Sequence, residues 1–249
     1  YFYSCYYIIF SIFSKLEENM NKEKINNVPQ ERIIDSFGKS LLLNDSIKDV
    51  SLDALELNLD SIYNITNPFI ELPIVKLFYA TGKTALNLWD RHTLKNTLVF
   101  IQEFNSGTVT EDKIRKYKAR LVTDNRSLAD ELEHVLIILS KIVDTNKAIV
   151  LAKAFKKYVD ENISWEMFCE ISEVIDRIFS SDFETIKQLY EENGLWENSK
   201  LDYRYERLLS LGVVENKRMS GNFAIAAEDF KMTPLGQLTA MGKEIGELL

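Results

Sequence analysis

Apolar residues recur at intervals of three and four along most of this chain, the spacing that turns one face of an α-helix toward a core. Ile33, Ile34, Phe37, Leu41 and Leu42 mark a first helix over residues 30–43. Asp45 or Ser46 caps a second, carried by Val50, Leu52, Leu55, Leu57 and Leu59. Pro68 and Pro73 break the chain, after which residues 74–104 read as one long helix with Gly107 past its end. The first half of that helix, from Ile74 to Trp89, is apolar on most faces, so it is expected at the centre of the core with Trp89 and Phe100 turned inward. A lipid-facing segment is the alternative, and Glu71, Lys76 and Lys83 argue against it.

Four shorter helices follow, each behind a residue able to cap it. Thr110 precedes an acidic first turn and residues 113–121, with Ile114, Tyr117 and Leu121 inward. Asp124 or Ser127 starts a stripe of Leu128, Leu132, Val135, Leu136 and Leu139. Asp144 or Thr145 stands before Ile149, Leu151, Phe155 and Tyr158, and Ser164 before Phe168, Ile171, Val174 and Ile175. Ser181-Asp182 is expected to cap a further helix through Ile186 and Leu189, and residues 193–200 read as a linker.

The C-terminal stretch has a different rhythm. Residues 201–211 suggest a helix closed by Gly212, residues 216–222 a polar excursion, and 223–232 an extended segment. Thr233-Pro-Leu-Gly is then expected to open a last helix, running to Ile245. Helix, turn, two strands around a loop and a capped helix is the order of a winged-helix unit, a docking surface for DNA or protein. The expected fold is therefore mainly α. A helical bundle over 20–192 precedes a small winged-helix-like unit with a short β-hairpin over 193–249.

Composition refines this picture. In 249 residues there are nine Gly and four Pro, few breakers for a chain of this length, which favours long helices. The net charge of -8 disfavours non-specific binding to nucleic acid by the molecule as a whole. Charge is uneven, however: residues 76–126 carry ten Lys and Arg against five acids, making a basic face of Lys113, Arg115, Lys116, Lys118 and Arg120. That run suits phosphates of nucleic acid or of lipid headgroups, although an exposed helix with a solvated charged face explains it more simply. Cys5 and Cys169 share no motif, so Cys169 is expected as a small buried hydrophobe in a reducing cytosol. Residues 1–13 are too few for a membrane span, which needs about 20 apolar residues. Leu16-Glu-Glu before Met20 is encodable as a ribosome-binding sequence, so translation is expected to begin at Met20, with residues 1–19 an untranslated leader or disordered tail.

Chemistry is sparse. Gly82-Lys83-Thr84 lacks the glycine five positions earlier, where Leu77 stands, that a phosphate loop needs. His92 and His134 have no neighbours at metal-ligand spacing. Carboxylate pairs such as Glu131 and Glu133, or Glu170 and Glu173, are expected on solvated faces. No catalytic residue, cofactor, metal or small-molecule substrate is expected. In the C-terminal unit, Arg204, Arg207, Lys217 and Arg218 are the candidate contacts to nucleic acid or a partner. Twelve acids oppose eight bases over residues 181–249, which tilts the expectation toward a protein partner or self-association, with DNA second and a membrane surface third.

Several stretches resemble bacterial proteins of the abortive-infection alpha type and their relatives. Ala152-Lys-Ala-Phe155 and Phe168 to Ile175 are similar to two of that family's helices, and Ser181-Asp182 to its next helix start. Leu208-Leu-Ser-Leu-Gly212-Val-Val-Glu215 with Met232-Thr-Pro-Leu-Gly236 resembles its ending, and the order of elements matches over roughly residues 45–245. The resemblance implies a role in defence against phage. With the sparse chemistry and the cysteine usage, the expectation is a non-enzymatic cytosolic protein of interaction or regulation. The alternatives are a DNA-binding transcription regulator using the winged helix and a helical protein at the membrane surface.

Overall fold

The structure, a computed structural model, describes residues 30–42, 68–80, 88–106, 110–194, 196–197, 203–216 and 235–249. The expected leader at 1–19, the helix over 45–59, the Gly82-Lys83-Thr84 segment and the extended stretch 223–232 lie outside them. The described chain is mainly helical: α1 Gln30–Leu42, α2 Pro73–Ala80, α3 Leu88–Asn105, α4 Glu111–Thr123, α5 Leu128–Lys141, α6 Thr145–Val159 and α7 Trp165–Arg177. Beyond these come α8 Phe183–Glu191, β1 Trp196–Glu197, α9 Tyr203–Ser210, β2 Val214–Asn216, β3 Leu235–Leu238 and α10 Ala240–Leu248.

Local chemistry places most helix starts. Thr110, Ser127, Asp144 and Ser164 each accept a hydrogen bond from a first-turn N–H of the helix that follows, at 2.9–3.4 Å. The expected single helix over 74–104 is two helices, α2 and α3, which pack against each other. Helical phase counted from Ile74 therefore fails in α3: Phe100 is fully buried, but Trp89 is 58% exposed rather than inward.

α6 is the hub. It packs against α3, α7, α4 and α10, and its Ala148, Leu151, Ala152 and Phe155 are fully buried. Small residues on one face let the neighbouring helices approach, while Phe155 joins a chain of aromatic rings. Its ring centroid lies 5.9 Å from Phe100, 5.7 Å from Phe104 and 5.3 Å from Phe168.

The C-terminal elements belong to the same core. Tyr205, Leu208, Val213, Val214, Ile245 and Leu248 are buried in one cluster with the bundle residues. The strands pair antiparallel in the order β1-β3-β2, so β3 is central. This corrects two expectations. Trp196–Glu197 is a strand inside the supposed linker, and Leu235–Leu238 is a strand inside the supposed last helix. Leu235 and Leu238 are three apart, which mimics helical spacing, but backbone pairing on both sides fixes the segment as β. The last helix begins only at Ala240, where the Thr239 hydroxyl caps the Gly242 N–H at 3.0 Å.

Two glycines set how closely α10 docks. A Cβ on Gly242 would stand 2.0 Å from the Val213 carbonyl oxygen, and one on Gly246 would stand 2.6 Å from Tyr190 Cβ. Polar contacts reinforce the fit: Lys157 of α6 pairs with both Glu244 and Glu247 at 2.7 Å, and Lys153 donates to the Leu248 carbonyl at 2.7 Å.

Candidate functional site

The four residues expected to contact a partner or DNA do not form a free basic patch among the described residues. Arg207 points from α9 to Asp182 at the start of α8. Its Nε and Nη2 donate to the two carboxylate oxygens at 2.9 and 2.6 Å. Asp182 is fully buried, and the Arg207 side chain is 17% exposed. The guanidinium lies 4.4 Å from the Phe179 ring centroid and 5.4 Å from that of Tyr203, so a planar cation is held by a bidentate fork and aromatic faces together. Arg207 is thus a strut between the C-terminal unit and the bundle, not a free phosphate contact. The same pair corrects the expected cap: Asp182 makes no side-chain bond to a helix N–H because its carboxylate is turned to Arg207. Arg204 lies half-exposed, 6.0 Å from the Tyr203 ring, and Lys217 and Arg218 are outside the described residues.

The outer surfaces of this stack are apolar and open. Phe179 is 58% and Tyr203 68% exposed, while the arginine beside them is already neutralised. The two rings went unnoticed in the sequence because they sit one on each side of the expected linker. Their only common signal is an aromatic at the edge of an amphipathic helix.

The basic face on α4 is also largely committed. Lys113 pairs with Asp160 at 2.8 Å, and Arg120 donates to the Tyr158 carbonyl at 2.9 Å while lying 3.6 Å from Glu161. Both thus answer the negative end of α6 and the acids just past it. Lys116 pairs with Asp112 at 3.0 Å and Arg115 with the same carboxylate, and the Lys116 hydrogen bond leads in holding the Asp112 carboxyl below its ordinary range. Lys118 is the member of the run that has no ion pair among the described residues.

Glu131 overturns the expectation of a solvated carboxylate. It is 2% exposed and accepts hydroxyl hydrogen bonds from Tyr117 at 2.6 Å and Tyr158 at 2.7 Å, with Arg126 Nη1 at 3.9 Å. Desolvation lifts its carboxyl above the ordinary range, and burial with the adjoining carboxylate pushes both phenols well up. The signal was in the sequence: Glu131 lies three residues after Leu128 and four before Val135, on the apolar stripe itself. Tyr117 and Tyr158 pack edge to face, and Trp165 and Phe168 close over Tyr158, so the node ties α4, α5, α6 and α7 together.

Both histidines are engaged within the bundle. His92 Nε2 donates to the Ile142 carbonyl at 2.7 Å, and His134 bonds Ser172 at 2.8 Å, burial holding the His134 ring below its ordinary pKa. Cys169 is half-buried, and burial pushes its thiol up to about 11, which keeps it a thiol at neutral pH. Among the described residues no three His, Cys, Asp or Glu gather as a metal site, and no helix is long and apolar enough to cross a membrane. Compared with known proteins, the chain matches no family model, no curated protein and no solved structure.

Proposed function

We propose that this chain is a non-enzymatic cytosolic protein of interaction or regulation, whose winged-helix-like C-terminal unit meets a protein partner and does not read DNA. The observation that carries the reading is the Asp182–Arg207 fork. It engages the central arginine of the helix that would enter a groove, and it leaves the exposed rings of Phe179 and Tyr203 beside it. Exposed aromatics around a fixed arginine are characteristic of protein interfaces. The winged-helix assignment draws on the strand order β1-β3-β2 with α9 between β1 and β2. The excess of acids over bases in residues 181–249 works against phosphate binding. The resemblance to abortive-infection alpha proteins extends the reading to phage defence.

Fluorescence anisotropy of the whole chain against genomic DNA fragments at two salt concentrations tests it. A groove reader shows a log–log salt slope of about -0.9 per phosphate contacted. The expected result is no saturable binding at either salt. Sequence-selective, salt-steep binding that Arg204→Ala weakens would instead make the protein a DNA-binding regulator.

A further inference from the structure

A second surface has no part in that reading. Where α1, α4 and the start of α5 meet, they wall a pocket of about 590 Å³. Its apolar lining comes from Ile34 and Leu42 of α1, Ile114 of α4, and Leu128 and Leu132 of α5. Three charged side chains, Asp35, Lys39 and Lys118, line it as well, all exposed. Among the described residues neither lysine has an ion pair. This contrasts with the rest of α4, where Lys113, Arg115, Lys116 and Arg120 all answer acids. Among the described residues, the one uncommitted cation of the run is therefore the one that lines the pocket.

Two lysines against one aspartate leave a single net positive charge beside an apolar lining. The volume falls in the range of about 300–1,000 Å³ typical of small-molecule sites. We propose that the pocket binds a single-chain amphiphile with one negative charge, an alkyl carboxylate. Its chain lies along Ile34, Leu42, Ile114, Leu128 and Leu132, and its carboxylate is met by Lys39 and Lys118. Binding there would brace α1 against α4 and α5.

Calorimetric titration of the full chain with decanoate, below its micelle-forming range, tests this. Decanol and decyltrimethylammonium serve as the neutral and cationic counterparts. The expected result is saturable binding of one decanoate per chain, weakened about five- to tenfold in Lys118→Glu and in Lys39→Glu, with both counterparts weaker than decanoate. Both lysines are exposed, so these variants keep the wild-type denaturation midpoint, which is measured in parallel. Leu128→Gln, which puts an amide in the lining, should weaken decanoate and decanol alike. No saturation with decanoate, an unchanged affinity in Lys118→Glu, or equal binding of the cationic amphiphile overturns the proposal.

Discussion

Glu131 binds two phenolic hydroxyls where water does not reach, and desolvation dominates its titration. Its folded-state pKa lies above the ordinary 4.5, so between those two values the folded state holds a proton that the unfolded state has released. Stability from this group is therefore present in full below the unfolded pKa, and it is lost as pH rises through the folded one. Urea midpoints measured from pH 4 upward should show Glu131→Gln gaining on the wild type across that window, whereas a constant gap would mean no shift. At neutral pH Tyr117→Phe should cost about 1–3 kcal/mol, because it leaves a buried carboxylate short of a donor. Exposure decides a second pair of substitutions. Phe155→Ala should cost about 3–5 kcal/mol, and Trp89→Ala less than about 0.5 kcal/mol, by chemical denaturation. Trp89 was misplaced from the sequence because a run that is apolar on most faces offers no polar side to set the phase.

Helix starts were legible because a cap is decided within three or four consecutive residues, as at Thr110, Ser127, Asp144 and Ser164. Asp182 has the same cap signature, but its carboxylate is taken by an arginine 25 positions later, which no local pattern reports. The burial of Glu131 was legible from its place on the apolar stripe, but its two donors were not, since they stand 14 and 27 residues away. Strand β3 was lost because its pairing partners, β1 and β2, both lie across long stretches of chain. The docking of α10 gives a prediction at this scale. Gly242→Ala sets a methyl against the Val213 carbonyl, so α10 must shift outward, at an overpacking cost of about 1–3 kcal/mol. Hydrogen exchange should then show lost protection in α10, with α3 and α7 unchanged; unchanged α10 protection would mean that the helix is not tightly seated.

Over the whole molecule, the described bundle helices and C-terminal elements share one hydrophobic cluster, joined by Asp182–Arg207 and by Lys157 with Glu244 and Glu247. A shared core implies one cooperative transition. Urea unfolding followed by a probe in α3 and by another in α10 should give coincident curves, and a separate early transition at α10 would show the unit to be independent. The position of β3 also bears on how the protein is made. The strand that β1 and β2 both require is the last of the three to leave the ribosome, and α10, which closes over α6 and α8, follows it. A chain lengthening by about 5–20 residues per second emerges with its helical partners first. Until β3 arrives, β1 and β2 lack their pairing strand. A chain that has emerged only as far as residues 216–235 would therefore leave Val213 and Val214 without the strand and helix that cover them in the finished fold.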